Sequence, residues 1–276
     1  MKVILSRKGF DSGAGGYASF IFPNGILQSL PIPDHNASIT YSKVLSRYDQ
    51  SNLMDLMIKH RPYIKDKSRI VLNENTSCHL DPDIDDAALP RLSGWRGCFG
   101  QLGAAQTVLQ RYKIGQDDIF LFFGWFQDYS QIQDGRSNSG KHVIFGYLQI
   151  DDVIYPQKDT IPPWLMYHPH ATGSRLMVEN NCIYIARERS SWNKKLPGFG
   201  VFHYSKRLQL TKDGMSRSKW ALPEAFRGLT ISYHSTDSWK EGYFQSAHRG
   251  QEFVFQENDM VSEWAIELIE EHVDIH

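Results

Sequence analysis

The 276-residue chain carries 30 lysines and arginines against 31 aspartates and glutamates, a net charge of −1, so no global basic balance marks it as a nucleic-acid binder, although a local basic groove remains open. With 41% hydrophobic and 13% aromatic residues it can bury a substantial core, and one α+β domain over 1–276 is expected. Its three cysteines, Cys78, Cys98 and Cys182, form neither a disulfide framework nor a CxxC zinc pattern and point to a reducing cytoplasm. The first residues, MKVILSRKGFDSG, make neither a signal peptide nor an anchor, and no run approaches the ~18 apolar residues of a membrane span.

Val3 to Leu5 reads as a first strand and runs into a glycine-rich stretch ending at Gly16. A strand followed by such a turn suits anion binding through backbone N–H groups. The spacing fits neither GxxxxGK[ST] nor GxGxxG with a following helix, so a plain glycine-rich turn and a phosphate contact both stay open. Arg7, Lys8, Asp11 and Ser12 are the residues there with polar chemistry to offer. Tyr17 to Phe22 is expected to form a hairpin with Ile26 to Ile32 across an Asn24-Gly25 turn. Ser42 to Asp49 and Ser51 to Lys59 have helical spacing, and Arg69 to Leu72 reads as a short strand.

The next stretch, CHLDPDIDD from Cys78 to Asp86, carries one histidine and four aspartates in nine positions. Pro82 blocks a regular ladder or helix and pushes Asp81 toward extended geometry. His79, Asp81 and Asp83 are therefore expected on a strand end or turn, with alternate side chains on one side. Helical spacing returns from Leu102 to Tyr112, and Ile119 to Phe126 is apolar enough for a buried strand. Gly135 to Gly140 reads as a polar loop. His142 to Ile150 reads as a strand, and Val153 to Tyr155 as its continuation after a turn at Asp151-Asp152. Adjacent strands of this kind suggest a central, mainly antiparallel sheet with flanking helices. Tyr167 to Ala171 is a second histidine-bearing turn, Cys182 to Ala186 a strand, Arg187 to Gly200 a polar loop, and Val201 to Tyr204 and Leu208 to Leu210 strand pieces. A strand near Phe253 and a closing helix from Met260 to His272, capped by Asp259, complete the reading.

Two imidazoles and a carboxylate can hold Fe(II) or another divalent metal with positions left open. The candidate ligands are His79 and Asp81 with His168 or His170, His79, Asp81 and His170 being the preferred set, and Arg175 is placed to hold a cosubstrate carboxylate. The bland alternative is that His79 caps a turn and the aspartates satisfy nearby N–H groups. A metal-free alternative makes His79 or a carboxylate such as Asp83 the general base, with Arg7, Lys8 or Arg249 stabilising charge. Trp95, Trp125 and Trp164 are the stacking candidates among the aromatics. The charges at Arg187, Arg189, Lys194, Lys195, Lys206, Arg207, Lys212, Arg217 and Lys219 form either a phosphate-tracking patch or a solvated face.

Taken in order, SRKGFDSGAGG (6–16), HLDPDID (79–85), FGQ (99–101), IFLFFGWF (119–126), HVIFGYL (142–148), HPH (168–170) and RGQEFVF (249–255) resemble the nucleotide modification associated domain 3 family over nearly the whole chain. The resemblance implies a role in modifying the bases of DNA or other nucleotides. It brings no residue-by-residue mechanism. Asp11, His79, Asp81, Asp83, His168 and His170 as catalytic residues, and Arg7, Lys8, Ser12, Trp125 and Arg249 as substrate contacts, are chosen on chemical grounds at the matching motifs. The expected function is a base- or nucleotide-modifying enzyme with a His/Asp-lined pocket and a divalent metal. The alternatives are a non-catalytic reader of modified bases and a metal-dependent nuclease or other hydrolase.

Overall fold

The computed structural model of the chain describes residues 1–133 and 140–273, so of the polar loop expected over Gly135 to Gly140 all but Gly140 lies outside the described residues. Its centre is the strand Ile119–Asp128, whose first eight residues are almost wholly buried apart from the partly exposed Trp125. A run this apolar is stable only when both sheet faces are covered. Val3–Arg7 pairs with it in parallel and Lys141–Ile154 antiparallel. Glu252–Val254 extends the sheet beyond Val3–Arg7, and Cys182–Ala186 followed by Cys98–Gln101 extends it beyond Lys141–Ile154, all antiparallel. The hairpin Ser19–Ile21 with Leu27–Gln28 forms where Asn24-Gly25 supplies its turn, and it joins Ile119–Asp128 in parallel. The fold is α+β with a mostly antiparallel sheet, and among the described residues no helix is long and apolar enough to cross a membrane.

Several elements depart from expectation for identifiable reasons. Residues 42–49 are turns, because their backbone bonds reach distant partners: Leu45 N–H donates to Ala88, Ser46 N–H to Ser51, and Leu53 N–H to Val44. The helix in this region is Leu53–His60 alone, capped by Asn52. The expected turn at Asp151-Asp152 is a bulge within one continuous strand, Lys141–Ile154. The bulge lets Asp151 reach Arg96 at 2.6 Å and Arg187 at 3.6 Å while pairing to Cys182–Ala186 continues. Leu208 closes a short 3-10 turn, Lys206–Leu208, instead of opening a strand. The last helix, Asp259–His272, buries Val261, Ala265, Leu268 and Ile269, and its cap is Asn258, one residue earlier than expected.

Short ladders bring the polar segments together. Cys78–His79 pairs with Ile32–Pro33, which sets Asp34 beside His79. Asp83 and Cys98 exchange both backbone hydrogen bonds at 2.9 Å, which sets Asp81 beside Gly100. The 3-10 turn Pro169–Ala171 lies against the same sheet edge.

Candidate functional site

Asp81 is the hub of a cluster of three histidines. Its Oδ1 accepts the Gly100 N–H at 2.9 Å and faces His168 Nε2 at 3.3 Å. Its Oδ2 faces His79 Nε2 at 3.5 Å and His170 Nε2 at 3.8 Å. The other nitrogen of each ring fixes its tautomer. His79 Nδ1 donates to Asp34 Oδ2 at 2.9 Å, and Arg175 braces that same oxygen at 2.7 Å. Asn181 donates its amide N–H to the His170 carbonyl at 2.8 Å, which leaves its Oδ1 to accept from His170 Nδ1 at 2.7 Å. His168 Nδ1 accepts the His170 N–H at 3.2 Å, so its proton sits on Nε2, toward Asp81.

The consequence is a convergence of acceptors. With both Nδ1 atoms donating, neutral His79 and His170 turn their Nε2 lone pairs toward Asp81 Oδ2. Lone pairs and a carboxylate facing one another repel unless a proton or a cation stands between them. The ligand atoms of His79, Asp81 and His170 all lie within 4.8 Å of one another. Two imidazoles and one carboxylate, each oriented by an outer hydrogen bond, fit a divalent transition metal.

The pKa directions of Asp81 and His170 agree with this. Burial alone would raise Asp81, but the three imidazoles around it, His168 foremost, outweigh it and hold the carboxyl well below its usual range. Burial lowers His170 to about 3, so it stays neutral as a ligand must. His79 departs from this pattern: burial opposes its charged form, yet Asp34 and Asp81 favour it more and raise it, so a metal bound here would have to displace a proton from His79.

His79, Asp81 and His170 open into a cleft of about 960 Å³ that also includes Arg7, Lys8, Asp11, Ser12 and Trp125. His168 is fully buried behind Asp81 and does not line the cleft. Asp83 does not join the cluster: its carboxylate takes two hydrogen bonds from Arg91, both at 2.7 Å, and a third from the Tyr167 hydroxyl. Arg249 is exposed beside cleft-lining His248 and Gly250 without lining the cleft itself. Arg175, expected to hold a cosubstrate, is engaged by Asp34. Trp95 packs on Phe199 and Arg91, and Trp164 lies next to Gly94, so Trp125 alone of the three stacking candidates lines the cleft.

A model of the nucleotide modification associated domain 3 family matches residues 2–256. The chain belongs to that family. No curated protein and no solved structure matches it. The match takes in the whole His/Asp cluster and every cleft-lining segment, while the closing helix falls entirely beyond it.

Family membership leaves in place two features that the sequence concealed. Asp34 and Asn181 orient the histidines, yet Asp34 lies in a PxPDHN stretch and Asn181 in a loop, where such residues ordinarily cap turns. Glu252 is fully buried and accepts from Lys8 at 2.8 Å and Gln101 at 2.7 Å. Its place in a strand beside Phe253 and Val254 gave a usable signal, since a carboxylate inside an apolar strand needs partners. The basic residues of the second half disperse. Arg187 pairs with Asp117, Lys206 with Asp213, and Arg207 with Glu267 and Glu271, while Arg217 turns into the cleft.

Proposed function

We propose that this protein is an enzyme that modifies a nucleotide or a nucleic-acid base, using a divalent metal held by His79, Asp81 and His170. The observation that carries the reading is the pair of Nε2 atoms facing Asp81 Oδ2, each ring locked by a partner on its far side. A bound divalent ion would supply positive charge and open coordination positions to a substrate atom. The protein's own residues orient the ligands, through Asp34, Asn181 and His168, and line a cleft large enough for a nucleotide. The family match supports the nucleotide as substrate class. The non-catalytic reader is the weaker reading, because an aromatic cage needs several rings and Trp125 is the sole tryptophan of the three candidates at the cleft.

The test compares nucleosides, by mass spectrometry, from the DNA and nucleotide pools of cells making the wild type or the Asp81→Ala variant. Purified wild-type protein is assayed in parallel for metal. A new or depleted nucleoside mass that depends on Asp81, with about one metal ion per chain, is expected. Identical nucleoside profiles, or a wild type that retains no metal after loading, would end the proposal.

A further inference from the structure

The glycine-rich turn at the cleft is not available as a backbone anion cradle. Asp11 Oδ1 accepts the N–H groups of Gly13 at 2.6 Å and Ala14 at 2.7 Å, and the Gly16 N–H goes to the Asp11 carbonyl at 2.9 Å. Two guanidinium groups line the cleft in its vicinity instead. Arg7 is anchored by the carbonyls of Ala247 at 2.7 Å and His248 at 3.0 Å, each bond using one proton of a terminal nitrogen that carries two. Arg217 lies 3.9 Å from the centre of the Trp125 ring, and its guanidinium has no hydrogen-bond acceptor among the described residues.

The charges there do not cancel. Lys8 is matched by buried Glu252 at 2.8 Å. Arg7 and Arg217 share one nearby carboxylate, Asp11, whose Oδ1 already accepts two N–H groups of the turn. Burial disfavours the charge on both guanidiniums, and each also feels Asp11. An arginine held over the face of an indole, beside a second fixed arginine and short of acceptors, is a preorganised fork for a tetrahedral oxyanion. A chain of contacts links this region to the histidines: Lys8 to Glu252, Glu252 to Gln101, and Gly100 to Asp81.

We propose that Arg217, held over the Trp125 ring, and Arg7 form a phosphate subsite, so that the substrate enters the cleft as a phosphorylated nucleotide, not as a free base or nucleoside. This rests on the reading of the cleft as a nucleotide-modifying site. The phosphate belongs either to a free mononucleotide or to a phosphodiester in a strand.

Calorimetric titration decides. The probes are the four deoxynucleoside 5′-monophosphates, the matching deoxynucleosides and a mixed-sequence single-stranded oligonucleotide. They are titrated into metal-loaded wild type, Arg217→Ala and Arg217→Lys, each checked for its unfolding midpoint. At least one monophosphate, or the oligonucleotide, is expected to bind roughly tenfold to a hundredfold more tightly than its nucleoside, and Arg217→Ala to lose that margin. Arg217→Lys should recover part of it, since a lysine keeps the charge without the planar fork. Tight binding of the monophosphates assigns the phosphate to a free nucleotide; tight binding of the oligonucleotide alone assigns it to a strand. Equal affinity for nucleotide and nucleoside, a margin that survives Arg217→Ala, or no binding by any probe overturns the subsite. Metal content keeps the two proposals separable: Arg217→Ala should retain its metal, and Asp81→Ala should lose metal yet keep the phosphate margin.

Discussion

His79 Nδ1 and Asp34 Oδ2 are 2.9 Å apart, and Arg175 closes on the same carboxylate oxygen at 2.7 Å. Burial alone would raise Asp34, but the bonds from His79, the Asn36 N–H and Arg175 hold it ionised, well below the usual carboxylate range. Asp34 thereby decides which nitrogen of His79 faces Asp81. Replacing it by alanine frees the ring to turn and removes the acceptor that fixes its tautomer. Metal affinity is expected to fall roughly tenfold to a hundredfold with the fold intact. Competition titration against a coloured chelator measures it, and an unchanged affinity would reduce Asp34 to a partner of Arg175.

Gly100 makes room for the cluster. A Cβ at this position would lie 2.3 Å from His170 Cδ2 and 2.9 Å from His168 Cε1. Both rings are buried, with Asn181 locked on one side of His170. Gly100→Ala is therefore expected to push His170 off its position, abolish stoichiometric metal and lower stability by about 1–3 kcal/mol through overpacking. Metal analysis on the folded variant is the readout, and full retention of metal would show that His170 is not a ligand.

Asp83 provides the contrasting case. It is fully buried, forked by Arg91 and bonded to the Tyr167 hydroxyl, which also accepts from Trp95 at 2.8 Å. Asp83→Ala leaves the Arg91 guanidinium without its counter-charge, and such a break in a buried pair costs about 3–5 kcal/mol. Urea unfolding should show that loss while metal stoichiometry in the folded protein is kept. Loss of metal with unchanged stability would return Asp83 to the site.

The contrast between Asp81 and Asp83 marks the limit of what was legible in the chain. Strand periodicity made the apolar runs readable: Ile119–Asp128 and Cys182–Ala186 fall where their side chains predict, and the HPH turn does meet the HLD segment. Two-residue alternation also predicts that Asp81 and Asp83 point the same way. Which partner each carboxylate finds depends on Gly100 and Arg91, positions whose nearness comes from the Asp83–Cys98 bridge. Pairings between short segments leave almost no local pattern, since two residues are too few to show a period. The same reason hid Asp34, brought to His79 by the two-residue ladder Cys78–His79. The helix expected over 42–49 failed for the converse reason, as its helical spacing was overridden by long-range backbone partners.

His142 supplies a pH dependence at a distance from the proposed ligands. It is buried in the sheet and accepts the Trp220 indole N–H on Nδ1 at 3.0 Å. Burial, with the nearby charges of Arg7 and Arg217, pushes its pKa down to about 3 from the ordinary 6.5. The unfolded chain thus takes up a proton near pH 6.5 that the folded chain refuses until about pH 3. Its contribution is complete above pH 6.5 and is lost progressively as the pH falls toward 3. A histidine of this kind steepens the loss by up to about 1.4 kcal/mol per pH unit. His60, lowered to about 4 by burial and Arg61, acts in the same direction, so the wild-type slope is a sum. In urea unfolding at pH 7.5, 5.5 and 4.5, roughly spanning that window, His142→Gln should start less stable than wild type and lose less on acidification. Parallel slopes for the two proteins would mean that His142 takes up its proton in the folded chain as readily as in the unfolded one, without disturbing Trp220.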